Sequence, residues 1–295
     1  MNRSNNHSRL LPWSMAILVA GLATGCSGRN PILGVGSGTA SALTPVPLGS
    51  ASTYGTFGGT AGMTNQGILT VVNGDIGTTA TNTSAVTGFH DSMGDVYTEV
   101  PGSNVGNVTG TIRTCTTSTT GPTSGGVNAA NCSLADQARL DAQTAYLALA
   151  AKPGGPDPGA GNLAGLVLAP GVYTAAAGSF KVQGGNLTLD GKGDSNAVWV
   201  FQMATTLTVG GPGAAAPQSV LLINGAQAKN VFWQVGSAAT INAAGGGTME
   251  GTIISQAGAS FSTSGNTTIV TLNGRALSLG ASVTMVDTVI NVPAP

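Results

Sequence analysis

From about residue 48 onward the chain is written in short apolar alternations. Asn-Gly and Asp-Gly steps break them at Asn73-Gly74, Asp190-Gly191, Asn224-Gly225 and Asn273-Gly274. Alternation at period two belongs to strands with one buried side, and Asn-Gly between strands ordinarily marks a tight hairpin. Here the segments between the steps also resemble one another. Residues 201–208, 233–242, 254–262 and 277–284 each begin with a bulky side chain and carry a small one at Ala204, Gly236, Ala257 or Gly280. Each then continues in alternation, the second with one extra residue. Imperfect self-similarity at roughly 20 to 30 residues is what stacked parallel coils produce. An antiparallel sandwich is the competing arrangement.

The alternation assigns directions. With Leu207, Ile241, Phe261 and Val283 pointing inward, their neighbours point outward in two files. One file is Thr206, Thr240, Ser260 and Ser282, and the other is Thr208, Asn242, Ser262 and Thr284. Thr64, beside Met63, continues this surface in the early coils. Every member is small and uncharged. Lys181 is placed off this surface.

One segment keeps a different period. Leu134, Ala138, Ala142, Ala145 and Leu149 recur at helical spacing, Ser133 and Asp136 form a weak capping box, and Lys152-Pro153-Gly154-Gly155 stops the run. This predicts a helix over residues 133–152, about five turns long, with a mostly alanine stripe that suits close packing on a sheet.

Composition narrows the function. Only 7% of the 295 residues are charged, 10 Lys and Arg against 11 Asp and Glu, and 4% are aromatic. Thin repetitive turns fit this better than one thick aromatic core. No basic stretch exists to hold nucleic acid.

The first residues read as an export signal. Arg3 and Arg9 precede an apolar run over 11–23, too short to span a membrane, which ends Leu22-Ala23-Thr24-Gly25-Cys26. This resembles a bacterial lipobox, although Ala23 stands where Leu is preferred. The expectation is a signal over residues 1–25, lipidation of Cys26 and a Gly/Ser/Thr/Pro tether over 26–47. The domain then spans 48–293. An ordinary signal peptide that leaves Cys26 as a free thiol is the alternative. Ser27, in place of Asp, would direct a Gram-negative lipoprotein to the outer membrane, otherwise the chain is secreted. Export also makes a Cys115–Cys132 disulfide the natural pairing of the remaining cysteines. Two cysteines with only His7 and His90 as histidines form no metal site, and no cofactor motif is present.

Ordered motifs then carry a resemblance. They include Val72-Asn73-Gly74-Asp75-Ile76-Gly77, Ala85-Val86-Thr87-Gly88-Phe89 and Leu168-Ala169-Pro170-Gly171-Val172-Tyr173. Asn230-Val231-Phe232-Trp233-Gln234 and Asn273-Gly274-Arg275-Ala276-Leu277 follow. Together, from about residue 48 to 291, they resemble the microbial ice-binding proteins. The resemblance implies a mostly β, right-handed irregular β-solenoid of triangular section with one helix alongside. It also implies a C-terminal coil stacked beside the N-terminal one, and an inserted cap, here over 90–132. The expected ligand is an ice crystal surface, met by a monomer that reaches the membrane only through Cys26.

Ice recognition asks for a flat, weakly hydrated grid. Parallel strands supply spacings of about 4.8 Å across and 6.7 Å along, and Thr supplies a methyl and a hydroxyl together. Two rival functions remain. A polysaccharide-cleaving β-helix would need clustered carboxylates, whereas Asp75, Asp190 and Asp194 sit in turns where they cap backbone N–H groups, and Arg275 and Lys229 look structural. A cell-surface adhesion or matrix solenoid without ice activity would share every feature above.

Overall fold

In a computed structural model the described residues are 43–211 and 217–294. Nearly all strand pairs are parallel, and the short strands build coils with three faces. A seven-stranded sheet forms one face, with strands Phe180–Val182, Leu207–Val209, Ala239–Ile241, Ala259–Phe261, Val283–Met285, Met63–Asn65 and Val86–Thr87 in spatial order. The other two faces merge, because Thr248–Ser255 and Val270–Ser278 run round a corner and pair on both sides of it. Gly171–Thr174, Trp199–Met203 and Val231–Val235 begin the face that carries the helix, and Val167–Leu168, Leu187–Asp190 and Val220–Ile223 begin the third.

Chain order and spatial order differ. Thr56 pairs with Ala276, Thr64 with Thr284 and Val72 with Ile290, so the last coil lies against the first. Beyond that coil, Gly106–Val108 and Ile112–Thr114 extend the stack, and the Phe89–Asp91 and Val96–Tyr97 pair, which is antiparallel, closes it. This is the region expected as a cap. Its carboxylates are satisfied from within: Asp91 accepts from the N–H groups of Met93, Asp95 and Ile112, and Asp95 from Ser118 and Thr123.

Inside the coils, inward side chains of successive strands stack in columns. Phe201 lies face to face with Trp233, ring centroids 4.0 Å apart and planes 9° apart, and Tyr173 stacks on Phe201 at 5.5 Å. The few aromatics are thus concentrated in one stretch of the core, where such contacts add to simple area burial. The Trp199 and Trp233 indole N–H groups, buried with them, donate to the carbonyls of Leu168 and Glu250.

The helix spans Ala129–Ala150 and starts earlier than the sequence pattern suggested. Asn128 is its N-cap, its side chain accepting from the Asn131 N–H at 3.1 Å, so Ser133 lies within the helix and caps nothing. The buried stripe is Ala135, Ala138, Ala142, Ala145, Tyr146 and Leu149, while Leu134 is exposed. Those alanines bring the helix axis close to Val198, Val200, Phe232, Ile254 and Leu277, the outward residues of the sheet beneath. Polar ties fix its position. Gln202 donates to the carbonyls of Leu149 and Lys152 at the last turn, Gln234 to the Tyr146 hydroxyl, and Asp141 accepts from Ser50. Cys132, in the first turn, is disulfide-bonded to Cys115, so the bridge joins the helix start to the cap.

Candidate functional site

The seven-stranded face has strands only two or three residues long, so each strand sends one central side chain outward between buried neighbours. Cross-strand register lines these central residues up as Lys181, Thr208, Thr240, Ser260, Thr284, Thr64 and Thr87. Beneath them run two inward columns. Phe180, Leu207, Ala239, Ala259, Val283, Met63 and Val86 form one, and Val182, Val209, Ile241, Phe261, Met285 and Asn65 the other.

The two outward files expected from sequence therefore become one file and a flank. Thr208 stands beside Thr240 and not beside Asn242, and Ser260 pairs with Thr284 and not with Ser282. The sequence alignment had matched the bulky residues, but bulk alternates between the two inward columns: Leu207 faces Ala239, and Phe261 faces Met285. A slip of two residues leaves the outward direction unchanged and moves only the position along the strand. Thr206 and Ser282 remain on the surface just before their strands begin, Ser282 in a shallow trough with Ala238 and Gly258. Gly258 has φ +100°, and a Cβ there would lie 2.6 Å from the Ser282 carbonyl, so the coils meet closely where the flank is smallest.

Asn242 and Ser262 leave the face altogether. Both have left-handed backbones, φ +45° and +61°, in line with Gly210 at +53°, and both are buried. This column is the corner at which the chain turns into the third face. The Asn242 side chain accepts from the Gln218 N–H at 3.1 Å and donates to the Gln218 carbonyl at 3.0 Å, a pairing that closes the corner. Lys181, placed off this surface by the sequence reading, stands in the file at its first strand. Thr87 extends the file at the other end, which the alternation in Ala85-Val86-Thr87 already contained.

Most hydroxyls of the file are left to meet water in register. Among the described residues, those of Thr64, Thr208, Thr240, Ser260 and Thr284 make no hydrogen bond within the protein. Several other hydroxyls are turned back onto the chain, Thr60 to Gly280, Thr205 to Gly178 and, at the far end of the file itself, Thr87 to Ser84. The helix covers the second face. On the third, Asn73, Asn291, Asn273 and Glu250 donate and accept along a ladder of 2.8–2.9 Å bonds, flanked by exposed Val167, Leu221 and Ile223. Burial pushes the Glu250 carboxyl up, the Asn273 amide opposing it.

The ionisable groups considered for catalysis are occupied structurally. Asp75 accepts from Thr53 and the Thr111 N–H and pairs with Arg113. Asp190 is held down at about 2 by the Lys192 side chain first, then by the Lys192 N–H and Asn224. Arg275 donates to the carbonyls of Ser52 and Pro293, and burial lowers its pKa to about 10. Cys115, Cys132 and Asp136 lie close together, but both sulfurs are committed to the disulfide. Cys26 and the expected signal and tether, up to residue 42, lie outside the described residues.

Known proteins share this fold. The ice-binding-like family model matches residues 57–291. The chain belongs to that family. It is 34% identical to an ice-binding protein of Nostoc over 81% of this chain and 71% of that one. To ice-binding protein K1-A of Typhula ishikariensis it is 32% identical over 76% and 82%. Among solved structures, the domain of ice-binding protein 1 from Shewanella frigidimarina superposes with a TM-score of 0.67 at 27% identity, covering 85% of this chain and 98% of that one. The ice-binding protein of Antarctomyces psychrotrophicus gives 0.62 at 31%, covering 85% and 100%.

Proposed function

We propose that this family member binds ice, without catalysing a reaction, through the seven-stranded face. The carrying observation is the file Thr208, Thr240, Ser260, Thr284 and Thr64. Its hydroxyls are in strand register, sit on rigid buried neighbours and are uncommitted to the protein. A hydroxyl free of internal partners must bond water, and neighbouring strands repeat that demand at about 4.8 Å. The flanking methyls and glycines hold water weakly, so its order is set by the file. No acid or base interrupts the file from Thr208 to Thr87.

Family membership supports the reading, as do the names of the relatives. Export, with Cys26 lipidated and the solenoid held as a monomer on the outer surface, completes it. Purified protein beginning at Ser27 tests the function directly: it should shape growing ice crystals and depress the freezing point below the melting point. Failure of both would leave a surface solenoid without ice activity.

A further inference from the structure

We infer that Lys181 sets the boundary of the ice-contacting face, confining contact to the strands from Thr208 onward; this rests on the ice reading above. Lys181 occupies in its strand the position that Thr208 occupies in the next, with Phe180 and Val182 buried on either side, so it points outward with the file. Its ammonium has no hydrogen bond or ion pair among the described residues. The shallow depression around it is lined by uncharged residues, among them Ala160, Ala177, Ser179, Gln183 and Thr206. With no acid to draw it down, the charge stays hydrated at the end of a four-carbon stem.

Such a group opposes a lattice twice. It holds a water shell oriented by charge, which is costly to strip, and it stands above threonines whose side chains are shorter. The rest of its coil is built like its neighbours, with small Ser179 at the flank and a strand of the seven-stranded face in register. The strand is the last of its sheet, but its outer edge is taken by a parallel bridge to Asn162, and Leu163 donates its N–H to the Lys181 carbonyl, so guarding an open edge does not explain the lysine.

The experiment compares full-length wild type with Lys181→Thr, Lys181→Ala and Lys181→Glu at equal molarity, reading thermal hysteresis, ice-crystal shaping and melting curves. Lys181→Thr lengthens the neutral file by one strand spacing and should raise hysteresis at least about 1.2-fold. Lys181→Ala should also rise, and Lys181→Glu should stay at or below wild type. Equal or lower hysteresis in both neutral variants, with unchanged melting, overturns the inference while the ice reading stands. No shaping by wild type or any variant overturns the ice reading itself.

Discussion

Thr208 and Thr240 stand side by side on neighbouring strands, in register, with hydroxyls that bond nothing else in the described structure. Thr240 has Ser260 on its other side and so occupies the interior of the file. A tyrosine there would stand proud of its neighbours and hold a flat solid away from several strands at once. Thr240→Tyr should abolish most thermal hysteresis while stability shifts by no more than about 0.5 kcal/mol, as for exposed positions generally. Thr188→Tyr, outward on the third face beside Val167 and Leu221, should keep full activity. Equal losses in both variants would remove the face assignment.

Asn242 should behave in the opposite way. Its amide closes a corner and its backbone is left-handed, so Asn242→Ala removes the two bonds that it makes to the Gln218 N–H and C=O. Urea or thermal unfolding should show a loss of about 1–3 kcal/mol, with hysteresis per folded molecule retained.

The aromatic stack carries much of the core. Phe201→Ala removes a ring between Tyr173 and Trp233, and should cost about 3–5 kcal/mol in denaturant unfolding. A cost under about 1 kcal/mol would mean that the coil collapses to fill the space.

The Asp141–Ser50 contact predicts a pH dependence. The Ser50 hydroxyl first, then its N–H and the Gln137 amide, hold the Asp141 carboxyl below its ordinary value, against the opposing effect of burial. A lowered folded-state pKa contributes stability above the unfolded value and loses it as pH falls through the folded value. Asp141→Asn should therefore melt lower than wild type at pH 7, and the two curves should converge in the acid range.

Reduction of Cys115–Cys132 should act on the cap and the helix start before the middle of the solenoid. The bridge closes a 17-residue separation, for which chain entropy suggests about 3 kcal/mol. Hydrogen exchange in the reduced protein should quicken over 89–132 and stay slow over 199–209 and 231–241.

Much of this fold is written in periodicities. Period two identified which residues of 206–208 and 282–284 face out, and helical spacing found Ala138, Ala142, Ala145 and Leu149. What period two cannot reveal is a slip by two, since Leu207 against Ala239 or against Ile241 leaves every side chain facing the same way. Nor can it reveal the corners: Asn242 and Ser262 continue the alternation on paper and depart from it only through left-handed backbone. The helix start was obscured because Ser133 and Asp136 imitate a cap, while Asn128 follows a Gly/Ser/Thr-rich stretch without apolar period. Lys181 was misplaced although Phe180-Lys181-Val182 alternates like its neighbours and Tyr173 stands where Phe201 does in the next coil.

The last coil lies between the middle of the stack and the first coil, with Thr284 touching both Ser260 and Thr64. A nascent chain therefore has its early coil waiting, edge exposed, until residues 283–291 have left the ribosome. Removing residues after Ser278 would withdraw the Val283–Met285 and Thr288–Asn291 strands from the middle of the assembly and split the hydroxyl file in two. Tolerance to cutting thus runs against intuition: the strands of residues 283–291 are the keystone, and the ends of the stack are formed by earlier sequence.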